Sequence, residues 1–223
     1  MEKTLKQPNI TYTKAVDIKR LNFIKDSIEK DSVAANLTIL DVGCGNGLMS
    51  MQLGTLGYFI KGIDISEKAI LKANENNYLP NVSFEVIDAE MLAGKNEKYD
   101  FIICSEVLEH LYEPDLMVST IKQILKKDGK LIVTVPNGFG PREVFITKPM
   151  QWMKKNVSTI WGIIEFLKSK IGYDGKTEQS DASDLTHIHF FTKKELSKLI
   201  TEKGFRLASF KKANFLADVF PIG

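Results

Sequence analysis

An α/β fold built around a parallel sheet is what this 223-residue sequence predicts, on three observations. Short apolar runs rich in β-branched and aromatic residues alternate with longer polar and apolar stretches, the rhythm of repeated βα units. A glycine-rich turn follows the first of those runs. Acidic residues then stand at the ends of the next two, and an open sheet of this kind collects its ligand contacts along the edge where the strands end.

The elements follow in order. Ile39-Leu40-Asp41-Val42 reads as a strand running into Gly43-Cys44-Gly45-Asn46-Gly47, with a helix through Leu56 beyond it. Glycine lacks a Cβ, so Gly43 and Gly45 allow unusual φ values and close approach of a bulky polar ligand. The second strand is expected over residues 58–65, and Ser66 caps a helix through Asn74 by accepting from a first-turn amide. Strands over 82–87, 101–104 and 131–135 complete the series. Later, Thr192 and Glu195 form a capping box ahead of Leu196, Leu199 and Ile200, with a stop at Gly204.

The βα rhythm is interrupted between Asn137 and Thr186. Within that stretch Met150, Met153, Val157, Ile160, Trp161 and Ile164 fall on one helical stripe that continues to Ile171. Three regions result: an N-terminal helical cap over 1–35, a sheet domain over 36–136 and 187–223, and a helical insertion or lid over 137–186. Residues 142–176 hold seven basic and three acidic groups, a local excess of +4. A helix over 150–171 in peripheral contact with a membrane surface is one expectation for this segment; a core or dimer-packing helix is the other.

Composition narrows the function classes. Hydrophobic residues make up 43% and charged residues 26%, as in ordinary soluble domains. The longest apolar run, residues 101–104, is far too short to span a bilayer. Glu2, Lys3 and Lys6 do not suit a secretory signal, so a cytoplasmic location is the default expectation. Cys44 and Cys104 are not in CxxC spacing and are expected as free thiols. A net charge of +2 supplies no strong field for nucleic acid or acidic partners, so the function must be read from motifs.

The glycines over 43–47 are spaced GxGxG, whereas a dinucleotide fingerprint is GxGxxG. Asp64 lies 21 residues after Gly43, where an acceptor-only carboxylate can take both hydroxyls of a ribose. Asp88-Ala89 brings another carboxylate to the same edge, able to accept from an adenine amino group or to cap a helix. Asp41 is grouped with these strand-end carboxylates.

Together, residues 39–47, Gly62-Ile63-Asp64-Ile65-Ser66, Asp88-Ala89-Glu90 and residues 99–111 resemble the class I S-adenosylmethionine-dependent methyltransferases, over residues 36–136. The resemblance implies a Rossmann-like seven-stranded methyltransferase sheet, with helices on both faces and a helical insertion after the fifth strand. Its reversed final pair would fall over 206–212 and 214–220. Gly43 and Gly45 would approach the methionine moiety, Asp64 would hold the ribose, and Asp88, Ala89 and Ile65 would frame the adenine. Asp41 and Ser105 are expected on the cofactor side as well.

More narrowly, Glu106-Val107-Leu108-Glu109-His110-Leu111 and the upstream Arg20-Leu21-Asn22-Phe23-Ile24 are similar to the O-methyltransferases of ubiquinone biosynthesis. The matching arginine in that family contacts the cofactor carboxylate, a role that passes to Arg20. Some relatives hold a divalent ion on the residues matching Glu106, Glu109 and His110. Mg2+ is therefore a candidate second cofactor, polarising a phenolic hydroxyl as a Lewis acid.

Methyl transfer from a sulfonium is a direct displacement, so the protein must align the nucleophile and manage its proton. The candidate catalytic groups are Glu106, Glu109 and His110 after the fourth strand, and His189 in Leu185-Thr186-His187-Ile188-His189-Phe190-Phe191-Thr192. Glu109 and His110 can equally cap and solvate a short helix. If that later segment is extended, His187 and His189 share one face with Phe191. The pair with His110 falls short of a four-ligand zinc site, so zinc is not expected. After the fourth strand neither an Asn/Asp-Pro-Pro-aromatic motif nor a Pro-Cys pair occurs, against methylation of nucleic-acid bases. The expected activity is methyl transfer to an oxygen of a small molecule, with nitrogen as second choice. A non-catalytic cofactor-binding regulator and a protein methyltransferase stand as alternatives.

Overall fold

Five parallel strands frame the computed structural model: β1 (Thr38–Val42), β2 (Phe59–Asp64), β3 (Val82–Val86), β4 (Tyr99–Ser105) and β5 (Leu125–Pro136). Residues 12–30, 36–93, 96–137, 149, 152, 187–212 and 215–221 are described. The parallel strands lie in the order β3-β2-β1-β4-β5, and β7 (Phe215–Pro221) and β6 (Ser209–Lys212) extend the sheet beyond β5. Both added pairings are antiparallel. The parallel part is thus five strands wide, and the last two strands start later than residues 206 and 214.

The order turns back between β1 and β4. Chain leaving β1 goes on to β2 and β3 on one side, while β4 and β5 lie on the other, so the carboxyl ends of β1 and β4 border the crevice where open α/β sheets bind ligands. β1 is held from both sides: Asp41 is opposite Gly62 of β2 and Ile103 of β4.

Alternation along the strands decides the layers. Ile39, Ile60 and Ile103 face α1 (Ala15–Glu29), α2 (Leu48–Gly54) and α3 (Glu67–Asn76), which contribute Ile24, Met51 and Ile70 to that core. Leu40, Ile102 and Val133 face α4 (Pro114–Ile124) and α5 (Lys193–Thr201), which supply Ile121 and Leu196. Neighbouring Ile39 and Leu40 are both fully buried, the mark of a central strand covered on both faces.

Local signals set several boundaries. Ser66 Oγ accepts from the Ala69 N–H at 3.2 Å and starts α3. Thr192 Oγ1 accepts from the Glu195 N–H at 3.2 Å while Glu195 Oε2 accepts from the Thr192 N–H at 2.8 Å, a complete capping box at the start of α5. Helix α2 ends at Gly54, short of Leu56. Strand β5 begins earlier than residue 131 because Leu125 already pairs with Tyr99; the register then jumps so that Phe101 meets Lys130.

The third glycine of the loop serves packing. Gly47 has φ +76°, and a Cβ there would lie 2.4 Å from Phe84 Cζ and 3.0 Å from Ala73 Cβ. A left-handed alanine costs about 1–2 kcal/mol, and forcing apart a packed core about 1–3 kcal/mol more. Gly47→Ala is accordingly expected to destabilise the chain by about 2–5 kcal/mol, read as a lower urea midpoint at unchanged slope.

The insertion expected over 137–186, including the 150–171 helix, lies outside the described residues apart from positions 137, 149 and 152. The same holds for residues 1–11 and 31–35 of the N-terminal cap, whose described part is mainly α1. Among the described residues no helix is long and apolar enough to cross a membrane.

Candidate active site

The glycine loop is stitched to β2. Gly43 and Cys44 both donate their N–H groups to the Ile63 carbonyl, at 2.8 and 3.0 Å. Gly43 and Gly45 have φ of +69° and +54°, the left-handed region that glycine enters without cost. A Cβ on Gly43 would lie 2.4 Å from Val107 Cγ2, so this glycine also lets the loop close against the turn after β4. That contact joins the two borders of the crevice.

Asp64 ends β2 with its carboxylate clamped by backbone. Oδ2 accepts from the Gly45 N–H and Oδ1 from the Ser66 N–H, both at 2.9 Å. Each carboxylate oxygen can accept a second hydrogen bond, which suits the two hydroxyls of a diol. The group is partly exposed, so water or ligand reaches it. Beside it Ile65 is 73% exposed, and so is Met91, in the 3-10 turn Ala89–Leu92 after β3. Large apolar side chains left open at a strand edge offer a surface for a planar ring. Asp88 is partly buried at the start of this turn, its carbonyl accepting from the Met91 N–H at 2.9 Å, and Ala89 is buried. Met91 was not anticipated; the helical offset of three from Asp88 was the available signal.

Asp41 requires correction as an edge ligand. It lies within β1, bonded to strands on both sides, is 2% exposed, and accepts from Ser50 Oγ of α2 at 2.6 Å. Burial pushes its carboxyl up to about 7, with the Ser50 hydrogen bond opposing and the charge of Asp64 adding. Asp41 therefore ties β1 to α2 beneath the loop. Cys44 and Cys104 are free and buried, and burial raises both thiols far above their ordinary range, so neither is a nucleophile. Ser105 shares a 2.8 Å hydrogen bond with the Thr134 hydroxyl of β5.

The turn after β4 divides the expected catalytic groups. Glu106 has φ +59°, a strained conformation for a side chain of this size. Its N–H donates to the Thr134 carbonyl at 2.8 Å, Oε1 accepts from the Thr134 hydroxyl at 3.3 Å, and Oε2 pairs with Arg20 Nη2 at 3.1 Å. Arg20 is 6% exposed and also pairs with Asp17 at 3.1 Å. The arginine expected at a cofactor carboxylate is thus engaged by two protein carboxylates, a long-range arrangement that links α1 to β4.

Glu109 sits differently. It is 1% exposed, and neither carboxylate oxygen accepts a hydrogen bond among the described residues; His110 Nε2 stands 3.8 Å from Oε1. Burial first, then the charge of Glu106, holds its carboxyl well above the usual range. Its carbonyl accepts the N–H groups of Ile188 and His189 at 2.8 and 3.0 Å, tethering that segment to the turn. The tether brings the His187 ring to 5.0 Å from that of His110. One ligand atom from each of Glu109, His110 and His187 lies within 4.8 Å of the others.

His189 has different neighbours. It stacks on Phe191 at 5.5 Å and lines a shallow groove with Tyr112, Leu116 and Lys203. An extended segment offers no local means of choosing between residues two apart; the two bonds to the Glu109 carbonyl choose His187. Glu109, His110 and His187 are the side chains brought together here, while Glu106 is paired with Arg20.

A family model described as a methyltransferase domain matches residues 34–204. The ubiquinone biosynthesis O-methyltransferase of Glaesserella parasuis serovar 5 (strain SH0165) is 35% identical over 126 residues, covering 53% of this chain and 52% of that protein. The enzyme of the same name from Coxiella burnetii (strain RSA 493 / Nine Mile phase I) is 33% identical over 112 residues, with coverage of 49% and 48%. This chain spans about half the length of the curated relatives it matches. Among solved structures, the PH0226 protein of Pyrococcus horikoshii OT3 superposes with a TM-score of 0.64 at 19% identity, covering 95% of this chain and 93% of that one. Magnesium protoporphyrin IX methyltransferase of Synechocystis PCC 6803, with bound SAH, gives 0.61 at 18% identity, with coverage of 96% and 90%. At such identities these structures speak to the fold, while the family model spans most of the sequence: the chain belongs to the methyltransferase domain family.

Proposed function

We propose that the chain transfers a methyl group from S-adenosylmethionine to an oxygen of a small hydroxylated aromatic molecule. The observation that supports this most is Asp64, a carboxylate with room to accept from a diol, clamped at the end of β2 by the glycine loop that leaves β1 beside the crevice. In this reading Asp64 takes the ribose, Ile65 and Met91 cover the adenine with Asp88 and Ala89 beside them, and the Gly43–Gly45 turn lies against the methionine moiety. The ubiquinone biosynthesis relatives support oxygen as acceptor, since their name is that of O-methyltransferases.

The reaction forms an O–CH3 bond as the S–CH3 bond breaks, leaving S-adenosylhomocysteine and the proton of the acceptor hydroxyl. His110, beside buried Glu109 at the end of β4, is the proposed acceptor of that proton. Glu106 and Arg20 act through position: their ion pair holds the turn after β4 against α1. The segment over 137–186 is the proposed cover of the acceptor.

The test is incubation of the chain with S-adenosylmethionine carrying a labelled methyl group and a panel of catechols and phenols. Label in the organic extract, located on oxygen by mass spectrometry, is the expected outcome. Label confined to protein would favour a protein methyltransferase. Cofactor binding with no labelled product across the panel would favour the regulatory reading.

A further inference from the structure

The methyl-transfer reading leaves one buried acid beneath the glycine loop without a role in the chemistry. Asp41 is 2% exposed on β1, accepts from the Ser50 hydroxyl of α2 at 2.6 Å, and lies across from Gly62 of β2 and Ile103 of β4. Gly43 is two positions further on, so the two Cα atoms are at most roughly 7 Å apart. Around Asp41 stand Asp64 at the end of β2, the Cys44 thiol in the loop and the Cys104 thiol on β4. From α1, on the same face of the sheet, come Asp17 and Arg20, which pair with each other, Arg20 also pairing with Glu106. A buried carboxyl beside a like charge holds its proton to higher pH, here to about 7, with burial the main cause. The coupling reaches the loop: the Cys44 thiol, raised chiefly by burial, is raised further by the charges of Asp41 and Asp64.

We propose that Asp41 reads the charge on the cofactor sulfur: binding of the methyl donor, a sulfonium, drives the proton of Asp41 into solvent, whereas binding of the demethylated thioether does not. The inference deepens the proposed function and rests on it, since it takes the methionine moiety to lie against Gly43 and Gly45. S-adenosylmethionine carries one positive charge more than S-adenosylhomocysteine and otherwise differs from it by a methyl group. Against Gly43 that charge falls within the roughly 10 Å over which charges act at ordinary salt, and it acts through buried protein rather than water. It favours ionised Asp41, and by reciprocity ionised Asp41 favours the donor. When the methyl group leaves, the sulfur becomes neutral and Asp41 takes a proton back. As pH rises through about 7, the site therefore gains preference for the donor over the spent product.

The experiment is calorimetric titration of the full chain with each compound in buffers of different ionisation enthalpy, which counts the protons released on binding. It is run at about pH 6.5, below the range where α-amino groups titrate. There a group titrating at about 7 holds about three quarters of a proton, and a donor that moves it down by about one unit releases roughly half a proton. S-adenosylmethionine is accordingly expected to release roughly half a proton more than S-adenosylhomocysteine. Asp41→Asn has no such proton to lose and should bring the two compounds to the same value. A difference that survives in folded Asp41→Asn would overturn the assignment. A readout on wild type guards against a variant that fails to fold: the ratio of donor affinity to product affinity should rise about fourfold from about pH 6 to about 7.5, and a ratio that stays flat or falls would also overturn it. Binding of both compounds with equal proton release would sink this inference and leave the cofactor site standing; binding of neither would sink both.

Discussion

Asp64→Ala is expected to weaken S-adenosylmethionine binding roughly ten- to two-hundredfold, the equivalent of about 1.5–3 kcal/mol for a hydrogen bond to a charged group. The substitution removes two things at once. It deletes the acceptor for the ribose hydroxyls, and it releases the N–H groups of Gly45 and Ser66 that the carboxylate holds at 2.9 Å. Asp64→Asn separates these contributions, because an amide keeps one oxygen acceptor at similar volume while turning an NH2 toward the other backbone donor. The asparagine variant should therefore also bind weakly. Thermal unfolding without cofactor reports any loosening of the loop, and calorimetric titration reports affinity. Wild-type affinity in both variants would remove Asp64 from the cofactor site.

The second large effect concerns stability against pH. Asp41 has a folded-state pKa raised from 3.8 to about 7, chiefly by burial. Below about pH 4 the carboxyl is protonated in both folded and unfolded chains, and its contribution to stability is fully present. As pH rises through that range toward 7 the unfolded chain has released the proton while the folded chain retains it, so stability falls; above about 7 the loss is complete. A shift of about three units corresponds to on the order of 4 kcal/mol. Asp41→Asn does not titrate and still offers an oxygen to the Ser50 hydroxyl. Relative to wild type it should therefore gain stability steadily from pH 4 to 7, in urea unfolding of the cofactor-free protein. A difference that stays flat with pH would contradict the buried, mainly uncharged Asp41. The Asp64 charge adds to the shift, so Asp64→Ala should also move the upper end of this window downward.

The features legible in the sequence were those decided by neighbours along the chain. Ser66 caps α3 and the Thr192–Glu195 box caps α5 because their partners lie three residues away. The parallel strands followed from apolar runs that fill both faces of the sheet, and Asp64 from its distance to the glycine turn. What could not be read depended on contacts across the fold. Nothing local to Asp41 shows that Ser50 will cover it, and nothing local to Arg20 shows that it will meet Glu106, 86 positions away. The placement of His187 beside His110 has the same origin, since the segment that carries it is held by the carbonyl of Glu109. The left-handed backbone of Glu106 was equally hidden, because a glutamate carries none of the local signal that a glycine does.

The most direct test of the cofactor site is calorimetric titration of the wild-type chain with S-adenosylmethionine, S-adenosylhomocysteine and, separately, NADH. The GxGxG turn, the clamped Asp64 and the open Ile65 and Met91 predict one micromolar site for the two adenosyl sulfur compounds and none for NADH. Binding of NADH in preference to them, or no binding of either adenosyl compound, would contradict the assignment of this strand edge to a methyl donor.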